Sequence, residues 1–315
     1  MSAIPKILAI LGPTASGKTG LALALAKTLP IEIISLDSAL VYRGMDIGTA
    51  KPTAAELAQT PHHLINIISP LQSYSAAAFV SDCVHLAKDI HARGRLPLLV
   101  GGTMMYYHAL TQGLNDLPAA DEAVRRELAA EKRQYGLAHL YQRLQNIDAV
   151  TANRLEPTDS QRIERALEVW RLSGKPLSQH FAEQQAFRQP VDLCTVALIP
   201  ENRPLLHQHI ALRFQHMMQH GLADEVRRLQ QNYPELTADM PSMRCVGYRQ
   251  TWDYLAGVYD EKTWSEKGIA ATRQLAKRQL TWLRRLSVDY VFDPYQENDL
   301  LSQVAHICRQ YFQDA

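Results

Sequence analysis

The sequence has few cysteines, no long apolar run and no signal-like start, and each shortage excludes a class of protein. Cys83, Cys194, Cys245 and Cys308 are far apart, so no pair has the spacing of a zinc or disulfide-exchange motif. No stretch approaches the roughly 20 apolar residues that a membrane helix needs. Residues 1–10 contain a proline and a lysine, unlike a signal peptide. We therefore predict a cytoplasmic protein with reduced thiols and no membrane partner.

The chain also lacks an excess of either charge. Its 315 residues carry a formal net charge of +1, so a surface that binds nucleic acid must be local. No internal repeat and no low-complexity segment interrupts the sequence. The length and the 46% of hydrophobic residues suffice for one large domain or two modest ones.

Short apolar runs that alternate with helical patterns predict an α/β fold. The runs at 7–11, 32–36, 96–100 and 193–199 are typical of buried parallel strands. We predict a P-loop-type parallel sheet flanked by helices on both faces. The predicted helices span residues 19–29, 75–93, 103–112, 121–135, 137–145, 159–172, 205–220, 223–232, 247–256 and 265–286.

The stretch 117–189 differs from the rest because it contains helical patterns rich in charge and no strand pattern. We therefore predict that residues 1–116 and 190–315 form the catalytic core. Residues 117–189 would form an all-helical insertion domain between two strands of that core.

Residues 12–19 read GPTASGKT and match the phosphate-loop motif G-x-x-x-x-G-K-[ST] in full. Its glycines let backbone N–H groups wrap around an anion at the start of a helix. Lys18 would supply charge to the terminal phosphates, and the Thr19 hydroxyl would bind Mg²⁺. The predicted diphosphate-binding residues are Gly12, Pro13, Thr14, Ala15, Ser16, Gly17, Lys18 and Thr19. The motif is common in ATP-binding proteins but accepts any polyphosphate, so a kinase is one interpretation.

An acid is missing where a nucleotide kinase would place one. The strand at 96–100 is followed by Gly101-Gly102-Thr103 instead of an aspartate that could bind Mg²⁺. Asp37 instead follows the strand at 32–36, at the edge of the sheet where ligands bind. Its carboxylate could act as a general base. It could equally cap the segment that follows.

Two segments carry concentrated positive charge. Residues 273–285 read RQLAKRQLTWLRR and contain no acid. On a helix, Arg273, Lys277, Thr281 and Arg284 would share one face, while Ala276, Leu280 and Leu283 would pack inward. Such a face suits a phosphate backbone, although many charged faces are simply solvated. Residues 244–250 read RCVGYRQ and form the second basic segment, whereas the charges of 161–165 (QRIER) nearly balance.

Together these strings resemble the tRNA dimethylallyltransferase family in its bacterial form. The resemblance rests on six strings in the family's order: GPTASGKT (12–19), DSALVYRGMDIGTAKP (37–52), LVGGTMMYYHAL (99–110), QRIERALEV (161–169), RCVGYRQ (244–250) and TRQLAKRQLTWLR (272–284). It implies that the dimethylallyl group of dimethylallyl diphosphate passes to the exocyclic amine of the adenosine at tRNA position 37, next to the anticodon. The tRNAs would be those that read codons beginning with U, and pyrophosphate would leave.

The resemblance also implies roles for single residues. Asp37 would take the proton of the amine, and Lys18, Thr19, Mg²⁺ and Arg213 would stabilise the leaving diphosphate. The insertion domain would clamp the anticodon stem-loop, and we expect a monomer. With the RCVGYRQ segment added, the predicted tRNA-binding residues are Asp37, Ser38, Ala39, Leu40, Thr103, Arg125, Gln161, Arg162, Ile163, Glu164, Arg165, Arg244, Cys245, Val246, Gly247, Tyr248, Arg249, Arg273, Lys277, Arg278 and Arg284.

Two other functions compete with this one. A small-molecule or nucleotide kinase would turn over ATP and would need an acid for Mg²⁺ at a strand end. A non-catalytic RNA-binding protein would use the loop as a phosphate clamp and would need no base at Asp37. The larger aromatic residues do not separate these functions. We predict core or interface positions rather than base stacking for Trp252, Trp264, Trp282, Tyr106 and Tyr107.

Overall fold

A computed structural model describes residues 4–113, 117–183 and 189–313 of the chain. They divide into two compact units. The larger unit is discontinuous, with limits Met1–Thr111 and Gln189–Ala315, and the smaller one spans Gln112–Arg188. In the described residues, no helix is long and apolar enough to cross a lipid bilayer.

The larger unit is built on one six-stranded sheet in which every pair of neighbouring strands is parallel. Its strand order is β3-β2-β4-β1-β5-β6. The strands are β1 (Lys6–Leu11), β2 (Ile31–Leu36), β3 (His62–His63), β4 (Leu96–Gly101), β5 (Asp192–Leu198) and β6 (Tyr290–Phe292). The predicted α/β fold with a parallel sheet is therefore confirmed.

Fourteen helices accompany the sheet in the described residues. They are α1 (Lys18–Ala26), α2 (Ala54–Gln59), α3 (Ala76–Ala92), α4 (Met104–Gln112), α5 (Glu122–Tyr135), α6 (Leu137–Ile147), α7 (Ala149–Ala152), α8 (Ser160–Ser173), α9 (Leu177–Ala182), α10 (Arg203–Gln219), α11 (Leu222–Asn232), α12 (Tyr248–Leu255), α13 (Glu261–Leu283) and α14 (Leu300–Gln313).

Helices cover both faces of the sheet, which explains why its strands are uninterrupted apolar runs. In β1, Ile7, Ala9 and Leu11 join a core with residues of α3 and α4. Leu8 and Ile10 point to the other face and join a core with residues of α1 and α14. Because successive side chains of a strand alternate between faces, both sets must be apolar.

A third core lies beyond the carboxyl end of β2. Val41, Tyr42 and Met45 come from the segment that follows β2, and they pack with residues of α10, α11 and α12 such as Phe214 and Tyr248. This packing attaches the helices after β5 to the edge of the sheet at which β1, β2 and β4 end.

The structure contains elements that the sequence analysis did not predict. Strands β3 and β6 have two and three residues, too few to show a period, and both lie at edges of the sheet. Helix α14 was also missed, although Val304, Ile307 and Cys308 have the spacing of a buried helix face. Helix α13 starts before the predicted residue 265 because Asp260 caps it by accepting a hydrogen bond from the Thr263 N–H.

The smaller unit has a hydrophobic core of its own. Helices α5, α6, α7 and α8 contribute its fully buried residues, among them Leu140, Leu144, Ile163 and Leu167. The described residues of this unit contain no strand. Arg125 and Arg165 both bind the carboxylate of Glu168, at 2.8 and 2.7 Å. This carboxylate is 2% exposed. Because Arg125 belongs to α5 and Glu168 to α8, their ion pair links the two helices.

Candidate active site

The phosphate loop connects β1 to α1 in the conformation that its motif predicts. Ala15 and Gly17 have φ angles of 65° and 82°, and Gly17 directly precedes the first residue of α1. Positive φ is costly for Ala15, so the loop is held by its surroundings. The Lys18 ammonium donates a hydrogen bond of 3.0 Å to the Pro13 carbonyl. The loop is thus wrapped around the position that an anion would take.

A cavity of about 530 Å³ opens beside this loop at the carboxyl edge of the sheet. Three of the predicted catalytic residues from separate parts of the sequence line it: Lys18 from the loop, Asp37 after β2 and Arg213 from α10. The lining also includes the hydroxyl-bearing residues Thr19, Ser38, Thr49 and Thr103 and many apolar residues, among which are Leu40, Met104, Ile210, Phe214, Met217, Val246 and Leu275. A cavity with one charged end and an apolar wall suits a ligand that has both kinds of surface.

Lys18 and Arg213, two of the cations that line the cavity, are unfavourably placed until an anion arrives. Burial and, to a smaller extent, the charge of Arg213 lower the pKa of Lys18 to about 8, with Asp37 acting in the opposite direction. Burial also lowers the pKa of Arg213, again opposed by Asp37. The Arg213 guanidinium donates one hydrogen bond, of 3.3 Å, to the Thr49 carbonyl. A diphosphate would relieve the repulsion between both cations.

The carboxylate of Asp37 is compatible with both roles that the sequence left open. Its Oδ1 accepts a hydrogen bond of 2.8 Å from the Ala39 N–H and so turns the chain after β2. Among the described residues, its Oδ2 has no hydrogen-bond partner, and the side chain lines the cavity. Next to it, the Ser38 N–H donates a bond of 3.0 Å to the Thr103 hydroxyl. The turn fixes the carboxylate and leaves one oxygen able to accept a proton.

Steric crowding explains why glycine occupies positions 101 and 102, at the end of β4. A Cβ at Gly101 would collide with the Leu36 carbonyl, and one at Gly102 would collide with the side-chain amide of Gln279. Positions 101 and 102, where a nucleotide kinase would place its acid, are therefore too crowded for any side chain. Within the described residues, no group of three or more His, Cys, Asp or Glu side chains could hold a metal ion.

Gln279 is a site residue that the sequence analysis missed. Its Oε1 accepts a hydrogen bond of 2.8 Å from the Thr14 N–H, and its Nε2 donates one of 2.9 Å to the Gly102 carbonyl. It thereby connects α13 to the phosphate loop and to the end of β4. One sequence feature could have indicated its role. Gln279 is an uncharged polar residue within the basic string 273–285, and it lies on the buried side of the helix.

Helix α13 has the two faces that its sequence predicts. Ala276, Leu280 and Leu283 are 1% exposed, while the basic side chains and Thr281 are exposed. Across the described part of the chain, Arg244, Arg273, Lys277, Arg278 and Arg284 have no acid within ion-pair distance. Arg244 and Arg278 also line the cavity, so two of these unpaired cations belong to the site itself.

Several other predicted tRNA-binding residues are buried or contact other residues of the chain. Tyr248 is fully buried, and Arg249 contacts Asp253 and Asp239. In the smaller unit, the side chain of Ile163 is fully buried, and Arg162 pairs with Asp159. Gln161 is exposed, and Glu164 accepts a hydrogen bond from Lys132.

The aromatic residues follow the core prediction with one exception. Tyr106, Tyr107 and Trp264 are 3 to 4% exposed. Trp282 is 41% exposed and lines the cavity, with its ring 5.7 Å from that of His108 in an edge-on arrangement. The side chain is exposed because Ala276, Leu280 and Leu283 form the buried face of α13, and residue 282 does not lie on that face.

Comparison with known proteins gives the class of the chain. A family profile described as IPP transferase matches residues 40–286, and one described as isopentenyl transferase matches residues 5–73. The chain therefore belongs to the IPP transferase family, a family of prenyltransferases. It is 60% identical over 308 residues to the tRNA dimethylallyltransferase of Neisseria meningitidis serogroup A, an alignment that covers 98% of each chain.

Solved structures agree with the sequence relatives. A tRNA isopentenylpyrophosphate transferase from Bacillus halodurans is 37% identical with a TM-score of 0.71, and the match covers 98% of this chain and 97% of that one. A eukaryotic dimethylallyltransferase acting on tRNA is 25% identical with a TM-score of 0.80, covering 98% of this chain and 80% of that one. These relatives support a transferase over the kinase that the phosphate loop alone would permit.

Proposed function

We propose that the chain transfers a dimethylallyl group from dimethylallyl diphosphate to the exocyclic amine of the adenosine next to the anticodon of tRNA. The observation that carries this proposal is the convergence of Lys18, Arg213 and Asp37 on one cavity with an apolar wall. The charged end suits the diphosphate, and the apolar wall suits the five-carbon group. The relatives' names supply the acceptor, tRNA.

Separate residues act on the bond that forms to the amine nitrogen and on the bond that breaks to the diphosphate oxygen. The amine nitrogen attacks the first carbon of the allyl group while the bond from that carbon to the diphosphate oxygen breaks. An adenine amine is a weak nucleophile, so Asp37 takes its proton as the new bond forms. The backbone N–H groups of the loop, Lys18 and Arg213 stabilise the charge that develops on pyrophosphate.

We place the divalent cation at Thr19. Mg²⁺ prefers oxygen ligands and keeps several waters, so one protein hydroxyl beside a diphosphate is a sufficient donor set. The Thr19 side chain is exposed in the first turn of α1 and lines the cavity. When bound, the ion neutralises part of the diphosphate charge. Calorimetry with pyrophosphate tests this: Mg²⁺ should strengthen binding to the wild type and do so less in Thr19→Val, while Thr28→Val, at the far end of α1, keeps the effect.

The tRNA would meet the protein at two surfaces. The exposed cations of α13 and Arg244 would contact phosphates near the cavity, and the smaller unit would clamp the anticodon stem-loop. The adenosine must leave its stack to reach the cavity, which costs a few kcal/mol and is offset by contacts in the pocket. We expect one chain to suffice for this, and the cytoplasm is where the reaction would occur.

The direct test is incubation of the protein with Mg²⁺, unmodified tRNA and dimethylallyl diphosphate, followed by digestion and mass spectrometry of the nucleosides. We expect prenylated adenosine, and none when ATP replaces the donor. A tRNA with guanosine next to the anticodon is the matched control for the acceptor. ATP consumption without any prenylated nucleoside, across several tRNAs, would refute the proposal in favour of a kinase.

A further inference from the structure

We infer that Glu225 is a positioning residue for the transfer reaction: its buried carboxylate fixes the backbone of residues 46–49, and this segment orients Arg213 at the cavity. Neither the phosphate loop nor the basic helix contains it. The inference rests on the proposed function, because its readout is the rate of prenyl transfer.

The carboxylate of Glu225 is held by four donors. Oε2 accepts hydrogen bonds from the Asp46 and Ile47 N–H groups at 2.9 and 2.7 Å. Oε1 accepts from the Gly48 N–H at 3.1 Å and from the Tyr248 hydroxyl at 2.5 Å. Three successive N–H groups that converge on one anion form a backbone nest, the arrangement that elsewhere binds phosphate. Here the protein fills the nest with its own side chain, which is 3% exposed.

The segment in the nest leads directly into the cavity. Gly48, Thr49 and Ala50 belong to the cavity lining. The Thr49 carbonyl accepts the hydrogen bond of Arg213, so a shift of this carbonyl moves the guanidinium. The loss of the acceptor for the Gly48 N–H, one residue earlier, would release that carbonyl.

The same carboxylate also restrains a second stretch of the cavity lining. Tyr248, its fourth donor, directly follows Gly247, and residues 244–247 line the cavity. A Cβ at Gly48 would come within 2.6 Å of the Tyr248 ring and 2.8 Å of Leu222, so the segment is pressed against that ring. Glu225 therefore ties two stretches of the cavity lining to one point on α11.

The test is a double-mutant cycle between Glu225 and Arg213. We expect Glu225→Gln to lower kcat about 10- to 100-fold, because misplacing a reacting group by about 1 Å costs about that much. The KM for the donor should stay nearly unchanged, since the phosphate loop is intact. In an Arg213→Ala background, Glu225→Gln should have little further effect on kcat, because the group that it positions is gone. An unchanged kcat, or the same fold loss in both backgrounds, would overturn the inference.

Glu32→Gln is the matched control for the loss of a buried carboxylate. Glu32 is also 3% exposed, lies in the same unit and accepts hydrogen bonds of 3.0 and 2.7 Å from Arg93. It is the second residue of β2, at the end of the sheet opposite the cavity. We expect Glu32→Gln to lower the melting temperature and leave kcat unchanged. Equal loss of kcat in Glu32→Gln and Glu225→Gln would mean that general destabilisation is the cause, and would overturn the inference.

If Glu225→Gln does not fold, Tyr248→Phe takes its place in the cycle. It removes one donor and leaves the nest intact, so kcat should fall by less than in Glu225→Gln. In the Arg213→Ala background, Tyr248→Phe should not lower kcat further. The wild type and Arg213→Ala are measured first. A wild type that forms no prenylated adenosine rejects the proposed function, whereas an active wild type with an insensitive Glu225→Gln and Tyr248→Phe rejects the inference alone.

Discussion

At the scale of single residues, the cavity is a set of charges arranged for an anion. Burial lowers the pKa of both Lys18 and Arg213, and the charge of Arg213 lowers that of Lys18 as well. A diphosphate reverses both effects by supplying negative charge. Binding of the donor therefore stabilises the charged forms of both side chains. The affinity for the donor should depend on pH as a result.

The lowered pKa of Lys18 predicts an alkaline limit on donor capture. In the free protein this pKa is about 8 instead of 10.5, so the ammonium is lost as the pH rises through about 8. We expect kcat/KM for the donor to decline above that pH, while kcat declines less because bound diphosphate raises the pKa again. Lys18→Arg keeps its charge at this pH, so its kcat/KM should be lower but flat. The same decline in Lys18→Arg would show that another group is responsible.

The lowered pKa of Lys18 also has a consequence for stability, with a definite sign. Between pH 8 and 10.5 the unfolded chain binds more protons at this residue than the folded one. The contribution of Lys18 to the free energy of unfolding therefore rises with pH across that window. Thermal unfolding of Lys18→Met should lack this rise, and Lys27→Met, at the exposed far end of α1, should retain it. Identical pH profiles of the wild type and Lys18→Met would contradict the assignment.

At the scale of elements, α13 performs two jobs on two faces. Its buried face packs on the core, Gln279 reaches the phosphate loop, and its open face carries the unpaired cations. The apolar and basic positions of this helix were readable from the sequence because both follow its period. The role of Gln279 was not, since it depends on a contact with Thr14 across 265 residues.

The open face of α13 predicts a salt-dependent effect on tRNA affinity. We expect Lys277→Ala to weaken tRNA binding and to reduce the slope of log K against log salt by about 0.7 to 1, the share of one phosphate contact. Lys27→Ala removes an equally exposed lysine from the far end of α1 and should change neither quantity. A slope that stays the same in Lys277→Ala would mean that this face is simply solvated.

The segment after β2 shows why its glycine cannot be replaced. Gly48→Ala would force a methyl group into the Tyr248 ring and Leu222. We expect a lower melting temperature and a lower kcat, because overpacking costs about 1 to 3 kcal/mol and shifts the cavity wall. Gly20→Ala, whose Cβ would meet nothing within 4 Å, should be neutral or slightly stabilising. Full activity of Gly48→Ala would show that the segment adapts.

At the scale of the whole molecule, the chain is two units with separate cores. The four longest strands were predictable as continuous apolar runs, and most helices were predictable because each is long enough to show its period. Strands β3 and β6 were not, since two or three residues carry no period and their pairing is decided by tertiary contacts. The position of Lys18 at the cavity was predictable because a local motif defines it, whereas the buried contacts of Glu225 with residues 46–48 carry no sequence signal.

Separate cores predict separate consequences of core damage. Leu144 is fully buried in the smaller unit, and Leu144→Ala should lower the stability of that unit by about 2 to 5 kcal/mol. We expect weaker tRNA binding with unchanged pyrophosphate affinity, measured by calorimetry. Leu25→Ala, on the buried face of α1 in the larger unit, should weaken pyrophosphate binding instead. Parallel loss of both affinities in Leu144→Ala would contradict independent roles for the two units.

The most direct test of the account is the single-turnover rate of Asp37→Asn, measured together with its affinities for tRNA and pyrophosphate. Asparagine keeps an oxygen for the Ala39 N–H, so the turn after β2 survives while the base is lost. We predict a fall in rate of about 100- to 10,000-fold, the usual contribution of a general base, with both affinities retained. A variant that transfers the prenyl group at the wild-type rate would contradict the central claim that Asp37 accepts the proton of the amine.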